Sequence, residues 1–259
     1  MKKKQSCDKI NLQVVSRKKY EIGGGFASDL FWCIMIEIID KTKDYVIIYK
    51  PPGIPSQADQ SGDKDAMTLC AEQLRALDEP DSLFLIHRLD RVVGGLIVFA
   101  RNKKTAAALS AIVAEHRLTK EYFAVVEGRA EGGTMRDYIY KDTTLGKAFV
   151  TDRKRAGVKA AELDYVSLDT VLQGDRELSL VRISLKTGRF HQIRAQFASR
   201  KMPLIGDKKY GSRDFSAKAP TLFATRLAFE LDGKNVDVSR LPELTQYPWS
   251  LYREEIYKQ

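Results

Sequence analysis

Cysteine, histidine and tryptophan are all scarce in this chain of 259 residues, and no apolar run is long enough to cross a membrane as a helix. The three cysteines, Cys7, Cys33 and Cys70, are widely separated and odd in number. They argue against a disulfide framework or a CxxC metal ribbon and fit a reducing compartment. Of the three histidines, His87, His116 and His191, none forms a metal-ligand pattern with a cysteine, so no metal site is expected. The basic start MKKKQSCDKINLQVV lacks the apolar core of a secretory signal, and the expectation is a cytoplasmic protein. Also missing are a GxxxxGKS/T phosphate loop, an HExxH helix and a GxSxG elbow. No second acid is placed well enough to make a glycosidase-like pair with Asp90, the carboxylate that draws attention below.

What the chain does have is positive charge. With 43 Lys and Arg against 34 Asp and Glu, the formal charge is +9, spread along the sequence instead of gathered in a tail. That balance favours a polyanionic partner such as nucleic acid. The length suits one large domain or one domain with a small appendage. Residues 1–34, with a glycine triplet and the aperiodic run GGGFASDLFWCIM, read either as a hairpin or as a short leader that is disordered or dispensable for folding. The compact domain is expected over 35–259.

From Met35 onward the pattern is mostly strand. IEIIDKTKDYVIIYKPPG gives two strand-like runs and a proline-glycine turn. Met67, Cys70, Ala71 and Leu74 recur at helical spacing. Leu83–Ile86 and Leu96–Phe99 read as strands around a charged connection, with Gly94 and Gly95 freeing the backbone between them. Asn102 can cap a helix whose apolar face is Ala106, Leu109, Ile112 and Val113. TKEYFAVVEG, AELDYVSL, ELSLVRISL and TLFATRLAFEL are further strands, residues 141–160 a polar loop or ribbon, and KTGRFHQIRAQFASRKMP a turn into a helix stopped near Pro203. Trp249 and Tyr252 should pack the tail. Strands outnumber helices and the links are short, which predicts an α+β fold with a mixed, mainly antiparallel central sheet flanked by helices and loops.

The charged connection, LFLIHRLDRVVGGLIVFARNKK, places His87, Arg88, Asp90 and Arg91 between two apolar runs. Charges there ordinarily face water. Asp90 has Leu89, Val92 and Val93 as neighbours, and a carboxylate so desolvated must be paired or take up a proton. Arg88, Arg91, Arg189 and Arg194 are the available guanidinium partners. Asp90 is therefore either a structural ion-pair member or a nucleophile or base. A second cluster, GRFHQIR, puts Arg189, His191 and Gln192 at a helix start that favours an anion, with Arg194 one turn on. A basic solvent face accounts for the arginines alone. Tyr122 in KEYFAVV is either a core tyrosine or a ring that stacks on a base. Lys50 precedes a double proline, and Lys208 and Lys209 sit in the glycine-bounded loop GDKKYG, where they could touch phosphates.

Five of these stretches, in this order, resemble the motifs of the RluA-type pseudouridine synthases: YKPPGIPSQ, HRLDRVVGGLIVFARN, TKEYFAVVEG, KTGRFHQIRAQFAS and PLIGDKKYG. The resemblance covers roughly residues 37–230. It implies a pseudouridine synthase fold and the isomerisation of a uridine in ribosomal or transfer RNA, with no metal or organic cofactor. By that resemblance Asp90 is the essential carboxylate, either attacking the sugar at C1′ or assisting elimination. Tyr122 packs the flipped base and helps remove the C5 proton, and Arg194 holds Asp90 ionised. The RNA-binding set is His87, Arg88, Arg91, Arg189, His191, Gln192, Lys50, Lys208 and Lys209. A structured RNA is the implied partner, with no membrane, no metal and no obligate protein partner. Many relatives carry a small S4-type RNA-binding domain, and none is expected in so short and weakly patterned a leader. Three places depart from the family pattern: Val92-Val93-Gly94 after HRLDR, Phe190 for the usual threonine, and Ala224 where many members have histidine. These bear on the target uridine more than on the reaction. Two other readings compete: a catalytically silent RNA-binding or ribosome-assembly protein of the same fold, and a basic soluble domain unrelated to RNA.

Overall fold

The computed structural model describes residues 35–154 and 156–258. The expected leader lies outside them. The described residues build eleven strands into one sheet, with three α-helices against it. In chain order these are β1 (Glu37–Lys41), β2 (Tyr45–Lys50), α1 (Ala66–Ala76), β3 (Phe84–Leu85), β4 (Gly94–Ala100), α2 (Lys103–Ala114), β5 (Thr119–Glu127), β6 (Gly133–Asp142), β7 (Lys147–Thr151), β8 (Val158–Gln173), β9 (Arg176–Leu185), α3 (Gln192–Ser199), β10 (Leu222–Leu231) and β11 (Lys234–Ser239). The sheet runs β1-β2-β4-β10-β5-β9-β8-β6-β7, with β3 also on β4 and β11 also on β10. Only β4 and β10 pair in parallel. The mixed, largely antiparallel α+β sheet anticipated above is the one observed.

Period-2 alternation feeds two layers at once. On β2, Tyr45 and Ile47 face the layer of α2, while Val46 and Ile48 face that of α1. β4 does the same with Leu96 and Val98 against Ile97 and Phe99, which is why all seven of its residues are buried. Both long helices start where the sequence places a cap. Asp65 accepts from Thr68 N at 3.0 Å, and Asn102 accepts from Thr105 N at 2.8 Å. Each cap satisfies an N–H that the helix itself leaves open.

Further along, β5 and β9 turn Tyr122, Ala124, Val126, Val181 and Ile183 toward α3, and Phe123, Val125, Leu178 and Leu180 toward the C-terminal tail. Tyr252 closes that second layer and donates to Leu178 O at 2.9 Å, with Trp249 packed beside it, as expected. The ribbon anticipated over 141–160 is real. It is formed by the end of β6, β7 and the start of β8.

Two elements differ from the sequence reading in an informative way. β3 was expected over Leu83–Ile86 and is only two residues long. The His87 imidazole accepts the Val98 N–H at 3.3 Å, so a side chain takes the ladder bond a third strand residue would have made. α3 begins at Gln192, not at Arg189, because His191 turns into the left-handed region with φ 51°. No helix among the described residues is long and apolar enough to cross a membrane.

Candidate active-site cleft

The connection from β3 to β4 is pinned from below. Ser56 donates its hydroxyl to Leu89 O at 2.8 Å and accepts Leu89 N–H at 3.0 Å, holding that backbone from both sides. Lys50 Nζ donates to Ile54 O at 2.8 Å, and to Pro51 O and Arg91 O at 3.2 Å. The turn then closes through Val93 N–H on Asp90 O at 3.0 Å. A loop held at three points presents Asp90 at a fixed position on the floor of a cleft of about 830 Å³.

Asp90 meets the α3 cluster there. Arg194 Nη1 donates to Asp90 Oδ2 at 3.1 Å, and His191 Nε2 faces the same oxygen at 3.6 Å. Arg194 is not shared evenly. Its Nε and Nη2 grip both oxygens of Asp207 at 2.7 and 2.9 Å, a two-pronged bond that leaves Nη1 for Asp90. Asp207 is 1% exposed and Arg194 6%, whereas the Asp90 side chain keeps 24% of its surface open to the cleft. Burial pushes the Asp90 carboxyl above its ordinary value. Arg194 foremost, then Lys50 and Arg88, pull it back toward ionisation.

Tyr122 is buried on β5 beside Asp90 and lines the cleft together with Leu185, Gly188 and Arg189. Burial first, then the Asp90 charge, raises the Tyr122 hydroxyl well above the ordinary phenol range, so it holds its proton at neutral pH. Lys120, two residues earlier on the same strand face, also lines the cleft, and burial lowers its pKa.

The other residues singled out in the sequence fall into distinct places. Arg88 is exposed at the cleft and has no ion pair among the described residues. Arg91 also lines the cleft but is engaged by Asp63, Asp59 and Ser61. Arg189 donates through Nε to Ala160 O at 2.8 Å. His87 lines the cleft wall, and its Nδ1 is buried with no hydrogen-bond partner among the described residues. Lys208 lies over the Phe215 ring and Lys209 donates to Gly146 O at 2.8 Å, both outside the cleft lining.

Two expectations of RNA contact need correction. Lys50 is fully buried and its ammonium is turned onto three carbonyls. Gln192 is buried too, accepting from Thr187 Oγ1 and Arg189 N and donating to Glu162 O. Both hold loops with their polar atoms; Lys50 lies outside the cleft lining, and Gln192 borders it with its amide already engaged. Conversely, Asp207 was read as part of a surface loop. The signal that could have found it is a lone carboxylate between Gly206 and two lysines, in a chain whose Arg194 needs more than one anion.

Comparison with known proteins adds the family. Residues 44–199 match the sequence profile described as RNA pseudouridylate synthase. The chain belongs to the RNA pseudouridylate synthase family. Among its members, ribosomal large subunit pseudouridine synthase D of Borreliella burgdorferi is 30% identical over 211 residues, which cover 78% of this chain and 63% of that protein. The tRNA pseudouridine synthase C of Haemophilus ducreyi is 33% identical over 184 residues, covering 68% of this chain and 74% of that one. In fold, human RNA Pseudouridylate Synthase Domain Containing 1 superposes with a TM-score of 0.68 at 22% identity, over 83% of this chain and 86% of that one.

Proposed function

We propose that this pseudouridylate synthase family member is of the RluA type and converts a uridine in a structured RNA to pseudouridine, with Asp90 as the essential carboxylate. The observation that carries the reading is the Arg194 bond to Asp90 at 3.1 Å on the floor of an open cleft, beside the buried Tyr122. The reaction is an isomerisation: the N1–C1′ bond breaks, the uracil turns, C5 bonds to C1′, and the C5 proton is replaced by one on N1. Attack at C1′ and assisted elimination both need Asp90 ionised. A guanidinium supplies what burial would otherwise remove.

A uridine inside a stack is out of reach of such a carboxylate, so the base must swing out and be held. Tyr122, with its proton held in place, serves as an apolar wall for the base more readily than as a phenolate base. Arg88 and Arg189, both on the cleft lining, are the cations offered to backbone phosphates of the flanking nucleotides in this reading.

The test is a pseudouridine map of total RNA from cells with and without the gene, read by a chemical adduct that stops reverse transcription. The expected result is one or more sites that vanish with the gene, return with the wild-type chain and do not return with Asp90→Asn. Those sites also name the RNA class. Sites restored by Asp90→Asn would overturn the role of Asp90. An unchanged map, with no product from the purified protein on unmodified transcripts, would favour the silent RNA-binding reading.

A further inference from the structure

Behind Asp90 runs a hydrogen-bonded chain that the proposed reaction leaves without a role. Tyr210 Oη accepts the Ala148 N–H at 2.7 Å and lies 3.0 Å from His191 Nδ1. An amide N–H can only donate. Burial pushes the Tyr210 phenol up to about 12, so its proton stays on oxygen, with His191 Nδ1 an acceptor within its reach. With Nδ1 an acceptor, a neutral imidazole must carry its one proton on Nε2. That nitrogen is the one facing Asp90 Oδ2.

The surroundings hold this arrangement. The backbone at His191 is left-handed, a conformation that strains a non-glycine residue and concentrates at functional sites. Phe190 stacks on the imidazole with ring centres 3.8 Å apart, and Arg194 and Lys147 each lie 5.0 Å from the centre of the Tyr210 ring. Burial, reinforced by the Arg194 and Lys209 charges, lowers the His191 pKa to about 3, so the ring is neutral.

We propose that Tyr210 is a positioning residue that fixes His191 in the Nε2–H tautomer, aiming an uncharged donor at Asp90 beside the charged donor of Arg194. The proposal rests on Asp90 being the reacting carboxylate. A neutral donor can strengthen its contact as charge on Asp90 changes during the reaction, without adding to the fixed charge that Arg194 already supplies.

His87 provides an internal contrast, because its Nε2 accepts the Val98 N–H and its proton therefore sits on Nδ1. The experiment is a long-range proton–nitrogen correlation on the uniformly ¹⁵N-labelled full chain at pH 7.5, with the ring assigned by its loss in His191→Gln. His191 is expected as Nε2–H, its Nδ1 carrying the shift of a hydrogen-bonded acceptor, and His87 as Nδ1–H. Tyr210→Phe should remove the acceptor shift and lower kcat about tenfold with KM little changed, the size expected when the His191 donor facing the charged Asp90 is no longer held in place. A proton on His191 Nδ1, an Nδ1 resonance unmoved by Tyr210→Phe, or an unchanged kcat in that variant would overturn the proposal. If Tyr210→Phe does not fold, the wild-type spectrum decides by the tautomer alone. A wild-type protein without synthase activity would end the functional reading, and the spectrum would still judge the Tyr210–His191 chain by itself.

Discussion

Asp90 and Asp207 flank the same guanidinium, yet removing the charge of each should have opposite consequences. The Asp90 carboxyl is raised above its ordinary value by burial, so its ionised form costs the fold some stability at neutral pH. Asp90→Asn relieves that cost and leaves Arg194 paired with Asp207. Stability should stay level or rise while turnover disappears. Asp207→Asn strands a buried guanidinium that loses its two-pronged anion, and a broken buried pair costs roughly 3–5 kcal/mol, less what the remaining amide oxygen recovers. A loss of about 2–3 kcal/mol is expected, with kcat down about tenfold because Arg194 is no longer anchored. Urea unfolding of the two variants at pH 7.5 checks this. A stability loss in Asp90→Asn as large as in Asp207→Asn would mean that both carboxylates are structural.

Among the elements, β4 does most to place Asp90, and Gly95 is its tightest point. Its φ of +128° already excludes most side chains, and an added Cβ would lie 2.3 Å from Ala224 O and 2.5 Å from Ala224 N on β10. These are backbone atoms and cannot swing aside. Gly95→Ala should therefore cost roughly 3–5 kcal/mol by prising β4 from β10 at their only parallel contact. A Tm equal to the wild type's would show that this crossing can relax. The glycine pair was visible in the sequence as a mark of unusual backbone, and so were the Asn102 helix cap and the strands with strong apolar alternation. β6 and β11 were not, because GTMRDYIYKD and KNVDVS are too polar to alternate clearly and are strands through their partners β8 and β10. Likewise Asp90 and Arg194 stood out by their apolar neighbours and their motifs. The inward turn of Lys50 onto Arg91 O, the Asp207 grip and the Tyr210–His191 bond join residues 13 to 41 positions apart, and no local pattern encodes such meetings.

For the whole molecule, the groups enclosed around one cleft set the response to pH, and their signs can be worked out. His87 and His191 both fall from an ordinary 6.5 to about 3, chiefly through burial. Between those values the unfolded chain binds two protons that the folded chain refuses, so the contribution of these two rings to stability is full above pH 6.5 and falls as pH drops through the interval. Two protons set the limiting slope at ~2.7 kcal/mol per pH unit. Asp90 acts in the opposite direction, since its raised pKa lets the folded chain take up a proton first, and it offsets part of the loss. Lys50, lowered by burial from 10.5 to about 7, makes stability climb again as pH rises from 7 toward 10.5. The expected curve therefore falls below pH 6.5 and, with one proton at stake, rises at up to half that limiting slope from pH 7 to 9. Urea unfolding at unit steps from pH 5 to 9 measures it, and Lys50→Met should flatten the upper segment alone while lowering the whole curve, because three carbonyls lose their donor. A wild-type curve that is level between pH 5 and 6.5 would show both imidazoles taking protons in the folded state, which would remove the uncharged donor beside Asp90.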